Sequence, residues 1–125
     1  MLISPLRVPI SKNKVFVLNL NIYRNAHYHD LNKAKIVYKA LMQKQIMSLP
    51  FIDVPVIIRY KLYAKTKRKT DVSNVLAIHD KFFCDALTEF KKIKDDNSMW
   101  IPNVLYQWGG VCKENPRVEI EIQEN

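Results

Sequence analysis

The chain has 125 residues, of which 48% are hydrophobic and 26% are charged, a composition typical of one soluble globular domain with a modest core. Its formal net charge of +8 indicates a polyanionic partner, for which nucleic acid is the first candidate and an acidic membrane surface the second. The alternative is a basic protein whose charge serves only solubility. The only two glycines, Gly109 and Gly110, are adjacent, which excludes the glycine-rich phosphate loops of Walker and Rossmann nucleotide sites.

Cysteine usage and hydropathy indicate a cytoplasmic location. Cys84 and Cys112 fit no metal-ligand spacing, alone or with the three histidines, and they are expected to be reduced thiols. No apolar run approaches the roughly 20 residues that cross a membrane. Pro5, Arg7 and Pro9 interrupt the N-terminal segment, so no signal peptide is expected there.

Hydrophobic periodicity predicts a single α+β domain over residues 1–125, in the order β-α-β-α-β-β, with helices packed on a mixed sheet. Strands are expected within residues 15–22, 54–63, 100–112 and 117–122, and the third of these could instead be a hairpin turning at Gly109-Gly110. The first helix is expected within residues 29–47, with Asp30 or Asn32 as its cap. Its predicted apolar face consists of Ile36, Ala40, Leu41 and Ile46.

The second predicted helix starts at Asp71 and carries a polar stripe opposite a wide apolar face. Asp71, Asn74, Lys81 and Asp85 share a sector about 80° wide on a wheel of about 100° per residue. His79 points about 140° around this wheel, into the apolar face, and is expected to pack in the core. Asp80 points about 240° around it and is expected to be solvated.

A strongly basic stretch, residues 61–69, leads directly into Asp71. Carboxylates that can share a divalent cation, beside cations that can hold phosphate, are the components of a metal-dependent nuclease. Simpler interpretations exist for each acidic group. Asp71 could be only an N-cap, Lys81 and Asp85 could form a surface ion pair, and residues 95–97 could be only a turn.

These clusters resemble the signature of the RusA-type Holliday junction resolvases, endodeoxyribonucleases borne by phages and prophages. The family pattern is Asp-x-Asp-Asn, then a Lys, then Asp-Ala-Leu, then a pair of Asp residues. Here Asp71-Val72-Ser73-Asn74 stands at the first element, Lys81 lies four residues before Asp85-Ala86-Leu87, and Asp96 lies eleven residues after Asp85. Residues 21–25 and 113–122 are also similar, the latter to the longer branch from phages of Gram-positive bacteria, so the resemblance covers nearly the whole chain.

The chain departs from this pattern in two places. Ser73 takes the place of the second acidic residue, and a hydroxyl is a poor direct ligand for Mg²⁺. The segment between Asn74 and Lys81 is about four residues longer than in the short members, roughly one helical turn. Either the site holds metal with fewer carboxylates, or Asp85 joins it, or activity is weak.

The resemblance implies a Mg²⁺ site, with Mn²⁺ possible, in which Asp71 and Asp96 are ligands and Asp85 or Asp95 assists. It also implies a homodimer, whose two-fold symmetry supplies two sites for the paired nicks that resolve a four-way DNA junction. No small-molecule cofactor and no membrane are expected. The host cytoplasm is the expected compartment if the protein is phage-encoded.

The implied DNA contacts are made mainly to phosphates, without reading of sequence. Lys81 would contact the scissile phosphate, and Asn74 would orient a ligand or cap the helix. The expected DNA-binding side chains are Arg24, Lys65, Lys67, Arg68, Lys69 and Lys81.

Two other hypotheses remain. The first is a branched-DNA-binding protein that has lost cleavage because of Ser73. The second is a small basic RNA-binding module. Against the second, the aromatic side chains look buried and the chain has no aromatic-rich strand of the RRM type.

Overall fold

The computed structural model describes all 125 residues and has three helices and six strands, which confirms the α+β class. The strands are β1 (Leu2–Ser4), β2 (Arg7–Ser11), β3 (Lys14–Val17), β4 (Val56–Ala64), β5 (Asn103–Val111) and β6 (Arg117–Glu124). The helices are α1 (Leu20–Asn25), α2 (Tyr28–Met47) and α3 (Val72–Glu89). None of the three helices has the combination of length and hydropathy that a membrane span requires.

Four strands form the predicted mixed sheet, and their order in it is β1-β6-β4-β5. β4 and β5 are parallel, and the other neighbours are antiparallel. Because α3 connects two parallel strands, it runs back along the sheet in the direction opposite to both. On β4, Ile58, Tyr60 and Leu62 are buried on the face that the helices cover, while Arg59 and Lys61 lie on the other face. β2 and β3 form a separate two-stranded sheet.

The strand predicted within residues 15–22 is shorter than expected. β3 ends at Val17, and α1 starts at Leu20. Asn19 decides this change, because its side-chain oxygen accepts a 2.8 Å hydrogen bond from the backbone N–H of Ile22. Such a cap satisfies a helix N–H that a strand would have left free. The short strands β1 and β2 were not predicted.

Helix α2 is confirmed, but its cap and its buried face differ from the prediction. His27 caps the helix, not Asp30 or Asn32, and Asp30 instead forms an ion pair with a lysine of β3. The buried positions, four residues apart, are Ala34, Tyr38, Met42 and Ile46. The predicted core positions that are exposed instead are Ile36, Ala40 and Leu41. Apolar residues occur around most of this helix, so contacts with β1, β2 and α3 select the inward face.

Residues 100–112 contribute one strand, β5, and no hairpin. Its register with β4 shifts between Leu62 and Tyr63, which makes Gly109 a bulge residue. A Cβ atom at Gly109 would lie 2.8 Å from the ring of Tyr63 and 2.9 Å from Cγ of Lys61, so any other residue there would force these side chains to move. β5 forms one edge of the sheet, and none of its nine residues is buried.

Candidate functional site

Asp71 caps the N-terminus of α3. Its Oδ1 atom accepts hydrogen bonds from the Ser73 hydroxyl at 2.9 Å and from the Asn74 backbone N–H at 3.4 Å. The Oδ2 atom accepts none. The N-cap interpretation is therefore correct for one oxygen, and the other is free for a ligand. Ser73 orients Asp71 through this hydrogen bond, a role that its position in the motif did not reveal.

The basic segment, residues 65–69, lies next to this helix start. Lys67, Arg68 and Lys69 line an open cavity of about 430 Å³ together with Thr70 and other side chains of α3 and β5. All five residues of the segment are exposed. The structure therefore places these basic side chains close to the capping carboxylate.

Lys81 lies near the middle of α3, and its side chain is exposed. Its Nζ atom lies 5.8 Å from the centre of the Tyr23 ring on α1, and it forms no ion pair with Asp85. The surface ion-pair interpretation is therefore wrong. Because α1 packs against α3, it also carries Arg24, which is exposed, close to this part of the helix.

A second acidic group lies beyond the C-terminal half of α3 and consists of Asp85, Asp95 and Asp96. Partial desolvation raises the pKa of the Asp96 carboxyl, and the nearby Asp95 and Asp85 carboxylates raise it further. Asp95 also shapes the loop, since its two oxygens accept hydrogen bonds from the Asp96 backbone N–H at 2.8 Å and from the Asn97 side chain at 3.1 Å. The turn interpretation is thus correct for Asp95.

Asp71 and the second acidic group lie at opposite ends of α3. Fourteen residues separate Asp71 from Asp85, which corresponds to about 21 Å along the helix axis. Oxygen ligands lie about 2.1 Å from Mg²⁺, so the oxygens that share one ion are about 3 to 4 Å apart. No three acidic, histidine or cysteine side chains of the chain are close enough to hold a metal ion. The predicted ligand set therefore does not fit Mg²⁺ within a single chain.

Asp80 was predicted to be solvated, but three side chains donate hydrogen bonds to it and hold it in place. Its Oδ1 atom accepts hydrogen bonds from the Tyr60 hydroxyl at 2.8 Å and the Cys84 thiol at 3.3 Å, and its Oδ2 atom accepts one from the Tyr106 hydroxyl at 2.7 Å. Burial, with the adjacent carboxylate, raises the pKa of all three donor groups, which keeps them protonated. This site depends on the pairing of Tyr60 on β4 with Tyr106 on β5. A helical wheel of α3 shows only the residues of that helix, so it could not predict these contacts.

His79 packs in the core as predicted and is fully buried. Its Nδ1 atom lies 2.7 Å from the hydroxyl of Ser4, which lies 2.7 Å from the hydroxyl of Tyr38. Its Nε2 atom has no partner. Burial lowers the pKa of His79 to about 3, so the ring is neutral and serves structure.

Neither a scan against protein-family models nor a search of curated proteins gives a match to this chain. The functional interpretation therefore depends on the motif and on the geometry of these residues.

Proposed function

We propose that this protein is a Mg²⁺-dependent, structure-specific endodeoxyribonuclease that nicks four-way DNA junctions as a homodimer in the cytoplasm, with Mn²⁺ as a possible substitute ion. One observation carries the proposal. The chain has 20 lysines and arginines against 12 acidic residues, and Asp71 at the start of α3 keeps one carboxylate oxygen without a hydrogen bond or ion pair beside the basic segment 65–69. An open carboxylate oxygen at a motif position, next to side chains that can hold phosphate, supports a role in binding a metal cation.

The metal would be held by carboxylates from two chains. Asp71 from one copy and Asp85 with Asp96 from another would form a set that one chain cannot provide. Asp95 would assist from the loop. When bound, Mg²⁺ would supply an activated water and offset negative charge on the phosphate. This requirement makes the homodimer an essential part of the proposal.

The basic side chains have separate roles. Lys81, whose ammonium group is exposed and free of any carboxylate, would contact the scissile phosphate. The basic segment 65–69 and Arg24 would hold the phosphate backbone on either side of it. Asn74 would remain within the capped turn that fixes Asp71.

The test is cleavage of a synthetic four-way junction with Mg²⁺ or Mn²⁺ by wild-type protein and by Asp96→Asn. The variant should lose metal-dependent nicking by at least about a hundredfold, because it removes a charged ligand, while junction binding is kept or strengthened. Asp53→Asn, an exposed acid before β4, is the matched control and should cleave normally. Unchanged cleavage by Asp96→Asn would contradict the site assignment.

A second candidate is a branched-DNA-binding protein without cleavage. Ser73 favours it, because the neutral hydroxyl is engaged with Asp71 and the family's second carboxylate is missing. Such a protein would bind junctions in the same assay without any nicking. A basic RNA-binding module would bind RNA as tightly as junction DNA and would tolerate Asp96→Asn.

A further inference from the structure

Trp108 on β5 is an exposed aromatic residue, although the aromatic side chains were expected to be buried. It is 46% exposed, and its partner on β4 is the buried Leu62, so the indole lies on the sheet face that the helices cover. Neither another aromatic ring nor a basic side chain stacks on the indole. The ring is therefore available for contact with a ligand.

The indole lines the open cavity of about 430 Å³ at the start of α3. The other lining residues are Lys67, Arg68, Lys69, Thr70 and Val72. β5 contains no charged residue, so every charge at the cavity comes from the basic segment. None of these three cations forms an ion pair within the chain. The cavity therefore combines one free aromatic ring with three uncompensated positive charges.

This combination favours an unpaired nucleotide over other anionic ligands. Phosphate groups alone require the cations but no aromatic ring, and the bases of a duplex are stacked inside it. An unpaired nucleotide offers both a phosphate and a free base, and any base can stack on an aromatic side chain because every base has a π-face. An acidic membrane surface needs apolar side chains that reach into the lipid, whereas this indole lines a cavity.

We infer that this cavity binds an unpaired nucleotide of DNA, whose base stacks on Trp108 and whose flanking phosphates contact the three cations. Thr70, which lines the cavity, directly precedes Asp71, so the bound nucleotide lies beside the carboxylate that caps α3. The protein therefore prefers branched DNA with unpaired nucleotides at the branch to fully paired duplex. The stacking site stands on the cavity itself, and the choice of DNA rests on the proposed function.

Binding of single-stranded DNA to the full chain in EDTA tests the inference without metal or cleavage. Fluorescence anisotropy compares an oligothymidylate of about eight nucleotides with an abasic oligodeoxynucleotide of the same length. Trp108→Ala should weaken binding of the first about tenfold or more and of the second less than about twofold, because only a base contacts the indole. Equal effects on both ligands, no effect on either, or a wild-type chain that does not bind oligothymidylate overturns the inference.

Three further variants serve as controls, each shown to be folded by thermal unfolding. Trp108→Phe keeps an aromatic ring and should restore most of the affinity for oligothymidylate. Leu105→Ala should bind like wild type, because Leu105 is exposed on the same strand but pairs with Arg59 on the opposite face of the sheet. Lys67→Ala with Arg68→Ala should weaken both ligands, because it removes contacts to phosphates.

Tryptophan fluorescence gives an independent measurement that leaves the cavity unaltered. The chain has two tryptophans, so in a Trp100→Phe background all of the tryptophan emission comes from Trp108. Stacking should quench this emission when oligothymidylate is added, and the abasic ligand should not quench it. Unquenched emission at saturating oligothymidylate overturns the stacking.

Other ligands separate the remaining outcomes. Oligouridylate bound more tightly than oligothymidylate, or Trp108-dependent binding to phosphatidylserine vesicles without binding to DNA, overturns the inference. Trp108-dependent binding of oligothymidylate by a chain that nicks no junction supports the stacking site and overturns the proposed function. Metal-dependent nicking by a chain whose Trp108→Ala variant binds oligothymidylate normally overturns the stacking site alone.

Discussion

Ser73 shows how a single residue changes the chemistry of the motif. Its hydroxyl donates to Asp71 Oδ1 at 2.9 Å, so it orients one oxygen of that carboxylate and leaves the other open. A second carboxylate at this position would add a negative charge within the first turn of α3. There it would interact favourably with the helix dipole but repel Asp71.

Ser73→Asp should keep or raise Mg²⁺-dependent junction cleavage, because it adds a candidate ligand beside Asp71. Without metal, the same change should lower the free energy of unfolding by about 1 kcal/mol through repulsion between the two carboxylates. Cleavage rates and urea unfolding in EDTA measure the two effects. Ser73→Ala, which removes only the hydrogen bond, is the control and should change stability by no more than about 1 kcal/mol. Complete loss of cleavage in Ser73→Asp would show that the hydroxyl itself is required.

At the scale of elements, a buried polar chain joins three of them. Ser4 at the end of β1, Tyr38 on α2 and His79 on α3 are connected by two contacts of 2.7 Å. These three hydrogen-bonded residues hold α3 against the N-terminal part of the molecule, and their arrangement depends on a neutral His79 ring. His79 has a pKa of about 3 in the folded protein, below its ordinary value of 6.5.

This lowered pKa predicts acid sensitivity. Unfolding lets His79 take up a proton below pH 6.5, so its contribution to stability is full above pH 6.5 and decreases as the pH falls towards 3. Between pH 7.5 and 4.5 the free energy of unfolding should fall by about 2 to 3 kcal/mol from this residue alone. Urea unfolding at both pH values should show a smaller fall for His79→Asn, which keeps a polar partner for Ser4 without titrating. Equal falls in both proteins would mean that other groups cause the acid sensitivity.

The elements also show where sequence reasoning was sufficient. The apolar face of α3, its start at Asp71 and the inward direction of His79 followed from periodicity, because helix geometry fixes direction locally. The buried face of α2 was predicted wrongly, since both of its apolar stripes have helical spacing and only packing chooses between them. The wheel also grouped Asp71 with Asp85, because a projection down the axis removes the roughly 21 Å between them.

On the scale of the whole molecule, only some of the side chains that give the net charge of +8 lie near Asp71. Many basic side chains lie on α2 and the loops, but residues 65–69 bring four of them to the helix start that carries Asp71. Each phosphate that a protein neutralises releases counterions, so binding weakens with salt in proportion to the number of contacts.

Lys67→Ala with Arg68→Ala should weaken junction binding and reduce the slope of log K against log salt by about two units. Fluorescence anisotropy over a salt series measures the slope. Lys33→Ala with Lys44→Ala, two exposed lysines of α2, removes the same charge elsewhere and should leave the slope nearly unchanged. Equal changes in both double variants would place the DNA on a different surface.

The sequence alone determined the α+β class, most strands and helices, the packing of His79 and the residues of the motif, because these depend on local periodicity and side-chain type. Only the tertiary structure decided that the acids form two separate groups, that Asp80 is anchored by two tyrosines, and that β5 is an uncharged open edge. These features depend on the order of strands and on distances between segments remote in sequence, which local patterns do not specify.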